Sequence, residues 1–177
     1  SGRGMSCYLG AEALALCGLS WWLGLPNREL PLLWLLVGGG WVLAVVLMLR
    51  GGVAGWPRVP RPVRVVGGLL ALWAAWLAAV QARTLGINFL LSILVLVWVA
   101  DVCAYFAGRA FGLRFTRNKL APAISPGKSW EGVWGGMLGV LVLALGWVWA
   151  DAHWQTSVPS LYTALAARGW WVLVVSA

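Results

Sequence analysis

Charged side chains are scarce in this chain, where Asp, Glu, Lys and Arg make up only 10% of 177 residues. A soluble domain usually carries about 25% charged residues, so these few charges cannot cover the surface of a water-soluble globule. Hydrophobic residues make up 62% of the chain. They recur in apolar runs of about 20 residues, each long enough to cross about 30 Å of hydrocarbon. The composition therefore excludes a soluble fold and predicts an all-α, polytopic integral-membrane helical bundle.

Acidic residues are the scarcer of the two signs, with 5 Asp and Glu against 13 Lys and Arg and a net charge of +8. The basic residues gather in two loops between apolar runs and form no stripe interleaved with stacking aromatic residues, which argues against a nucleic-acid partner. Their distribution is typical of the positive-inside bias of membrane proteins. We therefore predict that loops 50–64 and 108–129 both face the cytoplasm.

Cysteine and histidine offer little chemistry. The three cysteines form no CxxC pair, and we interpret them as small packing residues rather than a disulfide framework. The lone histidine, His153, lies in a connection that the topology puts on the non-cytoplasmic side. We interpret it as a solvated or interfacial residue and not as a metal ligand.

The apolar runs predict one transmembrane domain with spans at approximately 8–25, 30–49, 65–82, 87–107 and 130–150. The first is the weakest, because Glu12 interrupts it. A further run opens at 169, and the chain stops at 177. Nine helical residues rise only about 13 Å, less than half of a bilayer, so we expect a fragment that ends inside a span.

Asp101 is an ionisable residue deep in the span at 87–107, and such residues are functional candidates by default. Tyr105 and Arg109 follow at i+4 and i+8 and should share its helix face, which leads into the basic loop. The structural alternative is that Asp101 only pairs with Arg109 or with a polar group on a neighbouring helix.

The basic loop ends in Gly127-Lys128-Ser129, which imitates the end of a phosphate-binding P-loop. The P-loop is rejected because Pro122 stands where its first glycine would be, and no strand precedes it. Ser129 should instead cap the next helix, whose N-terminus favours an anion, with Lys128 beside it. Glu131 in the first turn is explained equally well by the helix dipole alone.

Glycines recur in the helix that follows the loop. They have small-xxx-small spacing, which permits close helix packing in lipid. The pairs are 132/136 and 135/139. For 135, 136 and 139 we prefer packing to catalysis.

These motifs together resemble the phosphatidate cytidylyltransferase (CDP-diacylglycerol synthase) family, over about 36 residues at 101–136. The matching residues are Asp101-x-x-Ala104-Tyr105-Phe106-x-Gly108-Arg109-x-Phe111-Gly112, then Lys119-Leu120-Ala121-Pro122-x-Ile124-Ser125-Pro126-Gly127-Lys128-Ser129-Trp130-Glu131-Gly132 and Gly135-Gly136. Many relatives carry Thr where this chain has Ser129, and both residues offer a hydroxyl. The family also carries a second signature with acidic metal ligands nearer the C-terminus. Nothing like it occurs here, so the resemblance implies an incomplete catalytic centre and an inactive fragment.

The resemblance implies transfer of a cytidylyl group from CTP to phosphatidic acid, giving CDP-diacylglycerol and pyrophosphate, at a bacterial inner membrane. It implies Mg²⁺ as cofactor, and we assign Asp101 to that metal site. Lys128 is expected to hold phosphates, and Glu131 to support the metal or Lys128. The expected substrate-binding residues are Arg109, Lys119, Ser125 and Ser129. A homodimer is considered as the assembly.

Other readings remain open from the sequence. The chain could be a catalytically inactive membrane scaffold or paralogue in which Asp101 and Lys128 only stabilise the bundle. It could also belong to a CTP-dependent transferase with another lipid acceptor. A transporter is the weaker choice, because no pair of broken spans occurs in matching halves.

Overall fold

The computed structural model of the chain describes residues 2–55, 57, 59–112, 114–116 and 127–176. Within these residues the secondary structure is helical and contains no strand, which confirms the predicted all-α class. The helices are α1 (Gly2–Trp22), α2 (Pro31–Gly55), α3 (Arg61–Leu85), α4 (Ile87–Phe111), α5 (Trp130–Trp154), α6 (Leu161–Arg168) and α7 (Trp170–Ser176), with a short 3-10 helix at Leu25–Asn27.

Four helices are long and apolar enough to cross a membrane. They are Pro31–Arg50 within α2, and the whole of α3, α4 and α5. Large apolar side chains on them face outward, as expected where the surroundings are lipid; examples are Trp41, Leu72 and Trp98. The chain is therefore a multi-pass helical membrane protein. The further spans at 8–25 and 169–177, and the cytoplasmic assignment of the two loops, stay predictions.

Several helix boundaries differ from the sequence prediction: α2 continues to Gly55 and α4 to Phe111, so both extend into the predicted loops. α3 begins at Arg61, inside the predicted loop 50–64, and carries a proline at its second position. Pro62 lies in the first helical turn, where the backbone N–H that proline lacks would have no acceptor within the helix. Beyond α5, which continues to Trp154, the expected polar connection contains the eight-residue helix α6.

The chain divides into two compact units, Ser1–Thr84 and Leu85–Ala177. In the first unit, Gln81 of α3 joins three segments through its side-chain amide. Its Oε1 accepts a 2.8 Å hydrogen bond from Trp34 Nε1 in α2. Its Nε2 donates to the carbonyl oxygens of Leu25 and Arg28 at 3.1 and 2.9 Å. One amide thus fixes the turn between α1 and α2 against α3.

In the second unit, α4 and α5 approach closely through glycines. A Cβ added at Gly136 would lie 3.2 Å from the carbonyl oxygen of Ala100. At Gly139 an added Cβ would lie 2.7 Å from Cys103 Cβ, and at Gly135 it would overlap the Ala107 methyl group. The small-xxx-small pattern therefore packs α5 on α4, as predicted.

A buried hydrogen-bond cluster centred on Asp151 joins the end of α5 to α4 and α6. Asp151 is 7% exposed. Its Oδ1 accepts from Asn88 Nδ2 at 2.9 Å and from Thr156 Oγ1 at 3.2 Å. Its Oδ2 accepts from the backbone N–H of Ser160 at 2.9 Å and from Thr163 Oγ1 at 2.6 Å. This Asp151 cluster holds α6 against the end of the α4–α5 pair opposite to the basic loop.

Candidate functional site

The C-terminal half of α4 presents a polar face to a cleft of about 480 Å³. Asp101, Tyr105 and Arg109 all line this cleft, which confirms that they share one helix face. Arg109 Nη1 donates a 3.0 Å hydrogen bond to Tyr105 Oη. That bond orients the guanidinium group along the face, with its other donors available to an anion.

The opposite wall of the cleft is the start of α5. Lys128, Ser129 and Val133 line it. Ser129 is the N-cap of α5, and its Oγ accepts a 3.2 Å hydrogen bond from the backbone N–H of Gly132. The predicted cap is thereby confirmed. It leaves Lys128, which is exposed, immediately before the positive end of the helix dipole.

Glycine and alanine backbone separates the two walls. A Cβ added at Gly132 would lie 2.9 Å from the carbonyl oxygen of Ala104, and one at Gly108 would lie 3.4 Å from Ser129 Oγ. All three small residues line the cleft. Their size lets the α4 face and the α5 N-terminus stand close enough to contact one ligand together.

Asp101 is exposed to this cleft. In the part of the chain that the structure describes, its carboxylate has no hydrogen-bond or ion-pair partner, and Arg109 bonds Tyr105 instead. The purely structural pairing of Asp101 with Arg109 is therefore not seen. A carboxylate beside a helix N-terminus and a lysine suits a divalent cation, which prefers oxygen ligands.

Glu131 does not line the cleft with the other predicted site residues. It is 7% exposed and is not among the cleft-lining residues. Its Oε1 accepts hydrogen bonds from the backbone N–H groups of Phe115 and Thr116, at 3.1 and 2.8 Å, and from Thr116 Oγ1 at 2.9 Å. Glu131 therefore contacts the segment that follows α4.

Two predicted substrate-binding residues, Lys119 and Ser125, lie outside the described residues. Among those that are described, no group of three or more His, Cys, Asp and Glu side chains could hold a metal ion. Of the residues that the structure describes, Asp101 is the only carboxylate that lines the cleft. A Mg²⁺ ion commonly takes one or two protein carboxylates together with water and substrate phosphates, so a single Asp fits the donor chemistry.

The polar interactions that sequence reasoning missed are those of Thr116 and of the Asp151 cluster. His153, which we interpreted as interfacial, stacks on Trp149 with ring centroids 5.1 Å apart and is exposed. The sequence did offer one signal for the cluster, because four polar residues follow a long apolar run within thirteen positions. They are Asp151, Thr156, Ser160 and Thr163. Asn88, a partner of Asp151, lies 63 residues earlier, beyond any local pattern.

Comparison with known proteins identifies relatives of this sequence. The sequence model of the Cytidylyltransferase family matches residues 16–176. A phosphatidate cytidylyltransferase of Pseudomonas aeruginosa is 46% identical over 101 residues, which cover 55% of this chain and 35% of that protein. One from Haemophilus influenzae is 61% identical over 59 residues, covering 33% of this chain and 19% of that protein.

A more distant relative, a phosphatidate cytidylyltransferase of Staphylococcus epidermidis, is 36% identical over 74 residues, or 41% of this chain and 27% of that protein. The chain thus matches about a third or less of the length of these curated relatives. No solved structure gives a significant match.

Proposed function

The chain belongs to the cytidylyltransferase family, and from this membership we propose that the whole protein transfers a cytidylyl group from CTP to phosphatidic acid. The products are CDP-diacylglycerol and pyrophosphate. The observation that carries the proposal is the cleft in which Asp101, Arg109 and the Lys128–Ser129 end of α5 meet. It brings together basic side chains and a helix N-terminus, which bind phosphate oxygens, and a carboxylate, which binds a metal ion. A triphosphate with bound metal requires both.

The reaction needs little base catalysis. The phosphate of phosphatidic acid is a monoester with a second pKa near ~6, so it is largely dianionic at neutral pH. One of its oxygens forms a bond to the α-phosphorus of CTP, the bond from that phosphorus to the bridging oxygen breaks, and pyrophosphate leaves. The residues must therefore neutralise charge and align the two phosphates.

The polar side chains of the cleft each have a role in this proposal. Lys128, the Ser129 hydroxyl and the α5 N-terminus bind phosphate oxygens of CTP. Arg109, oriented by Tyr105, binds the triphosphate or the lipid phosphate. Asp101 holds a divalent cation, which we propose to be Mg²⁺ and which supplies charge neutralisation at the phosphates when bound. Lys119 and Ser125 are proposed as further phosphate contacts.

We propose a bacterial inner membrane, with loops 50–64 and 108–129 on the cytoplasmic side, so that CTP arrives from the cytoplasm and phosphatidic acid from the bilayer. Acidic metal ligands beyond this chain would complete the centre. Homodimer assembly stays a prediction.

Cytidylyl transfer from labelled CTP to phosphatidic acid in detergent tests the proposal on the intact protein. Asp101→Asn should lower kcat by at least ~100-fold, because a ligand of the cation is neutralised. Glu29→Gln removes an exposed acidic charge outside the cleft and is the matched control. Near-normal transfer by Asp101→Asn, or no transfer by a folded wild-type protein, would contradict the proposal.

A further inference from the structure

The feature that the proposed mechanism leaves unused is the contact between Glu131 and residues 115–116. We propose that Glu131 is a positioning residue: its carboxylate holds the backbone of Phe115 and Thr116 against the first turn of α5. In doing so it fixes the Lys128–Ser129 wall of the cleft for phosphate binding. This inference rests on the proposed function and names a residue pair that acts on the same site without contacting the ligand.

The hydrogen bonds at Glu131 occupy one oxygen fully. Oε1 takes three donors within 3.1 Å, two of them consecutive backbone N–H groups. Oε2 is buried and has no hydrogen-bond partner among the described residues. Since the residue is only 7% exposed, neither oxygen is presented to a ligand in the cleft. The three donors on Oε1, two of them from consecutive backbone amides, suit a carboxylate that anchors this segment.

The chain path shows what the anchor connects. The backbone N–H of Arg114 bonds the carbonyl oxygen of Phe111 at 3.0 Å, in the turn that closes α4. Phe115 and Thr116 follow at once and bond Glu131, one residue beyond the first residue of α5. The C-terminal end of α4 and the N-terminal end of α5 are thus joined directly. These two helix ends carry Arg109 and Lys128, on opposite walls of the cleft.

Charge explains why an acidic residue serves this purpose. Hydrogen bonds from N–H groups to a carboxylate are shorter and stronger than those to a neutral amide. Glu131 is the second residue of α5, where a negative charge also favours the helix dipole. The same side chain therefore stabilises the α5 N-terminus and the segment that precedes it.

Thr116 supplies both a backbone and a side-chain donor, so it offers a selective way to weaken the anchor. Thr116→Val keeps the branched shape and removes only the hydroxyl. The chain contains a matched control at the other end of α5, since Thr163 donates its hydroxyl to the buried carboxylate of Asp151. Thr163→Val removes the same kind of bond far from the cleft.

Backbone hydrogen exchange tests the anchor independently of activity. In Glu131→Ala the amides of Phe115 and Thr116 should exchange at least ~10-fold faster, because both lose their acceptor. In Glu131→Gln the amide oxygen still accepts them, so exchange should stay within about 5-fold of wild type. Unchanged exchange of both amides in Glu131→Ala would overturn the inference, whatever the activity.

The kinetics of the intact protein test the effect on the cleft. Thr116→Val should raise KM for CTP about 3- to 10-fold with kcat nearly unchanged, as expected when binding alone is weakened. Thr116→Ser should restore the wild-type KM. Thr163→Val should lower the thermal unfolding midpoint by about as much as Thr116→Val does. It should leave KM for CTP unchanged.

Two results would overturn the positioning role. One is an equal rise of KM in Thr163→Val, which would make the effect one of general stability. The other is a Glu131→Gln variant that keeps amide protection yet loses transfer as fully as Glu131→Ala, since that result would require the negative charge itself. Absence of transfer in the wild-type protein would instead overturn the proposed function, while the exchange measurement would still decide the anchor.

Discussion

Thr163 Oγ1 donates a 2.6 Å hydrogen bond to Asp151 Oδ2, which places a hydroxyl of α6 directly against a buried carboxylate at the end of α5. The other donors to this carboxylate come from Asn88 on α4 and from the connection between α5 and α6. Asn88 in turn accepts a 3.0 Å bond from Trp147 Nε1 and donates a 2.8 Å bond to the carbonyl oxygen of Val158. The cluster therefore depends on one charged group.

Asp151→Ala should destabilise the protein strongly. It removes the acceptor shared by Asn88, Thr163 and the fully buried Ser160, and we expect a loss of about 3 kcal/mol in the free energy of unfolding. The thermal unfolding midpoint in detergent measures it. His153→Gln, an exposed position two residues along the chain, is the control and should change the midpoint little. A midpoint for Asp151→Ala equal to that of the control would refute the prediction.

The effect of glycine-to-alanine substitutions in α5 on stability should depend on whether the glycine faces α4. Gly135→Ala places a methyl group against Ala107 and should cost about 1–3 kcal/mol of stability through overpacking. Gly146 has nothing within 4 Å of an added Cβ, so Gly146→Ala should be neutral or stabilising by up to about 1 kcal/mol. Thermal unfolding of the two variants side by side is the measurement. Equal destabilisation of both would contradict the observed packing.

Ser129→Ala should affect both stability and binding. Loss of the bond to the Gly132 N–H removes an N-cap, which costs about 1 kcal/mol. Because Ser129 also lines the cleft, KM for CTP should rise further than the loss of stability alone explains. Ser129→Thr keeps the hydroxyl and should retain both properties. A KM for Ser129→Ala that matches wild type would remove this residue from the phosphate site.

Gln81→Leu should loosen the first compact unit. The substitution leaves Trp34 Nε1 and the carbonyl oxygen of Arg28 without the partner that Gln81 supplies, and it removes one of two donors to the carbonyl oxygen of Leu25. We expect a loss of about 2 kcal/mol in the free energy of unfolding and faster proteolysis of the turn at 24–30. Arg83→Leu, at an exposed position of the same helix, is the control. Equal proteolysis rates for the two variants would argue against the anchoring role of Gln81.

Sequence patterns sufficed for features that are local or repetitive. Uninterrupted apolar runs predicted α2 to α5, and an i, i+4, i+8 spacing predicted the shared face of Asp101, Tyr105 and Arg109. The serine before a helix predicted the cap at Ser129. Each of these depends on the helical period or on residues within one turn of each other, so it can be recognised from residues that are close in sequence.

Contacts between distant segments could not be predicted in this way. The partner of Glu131 depends on the path of the chain after α4, and Asn88 meets Asp151 only because α4 and α5 pack side by side. Both carboxylates were visible as candidates for charge chemistry, but their burial and their donors are properties of the packed helices. Short helix α6 was missed because eight mixed residues carry no strong apolar period.

Glu131 and Asp151 are separated by twenty residues of α5, which corresponds to roughly 30 Å along the helix axis. Each is tied to segments that α5 itself does not contain, one at either end of the helix. A piston-like displacement of α5 along α4 would break both sets of bonds at once and drive the glycine contacts into steric collision. Any rearrangement of this unit during turnover should therefore be a small pivot about the Gly135–Gly139 crossing, and the catalytic cycle should leave the depth of α5 in the bilayer unchanged.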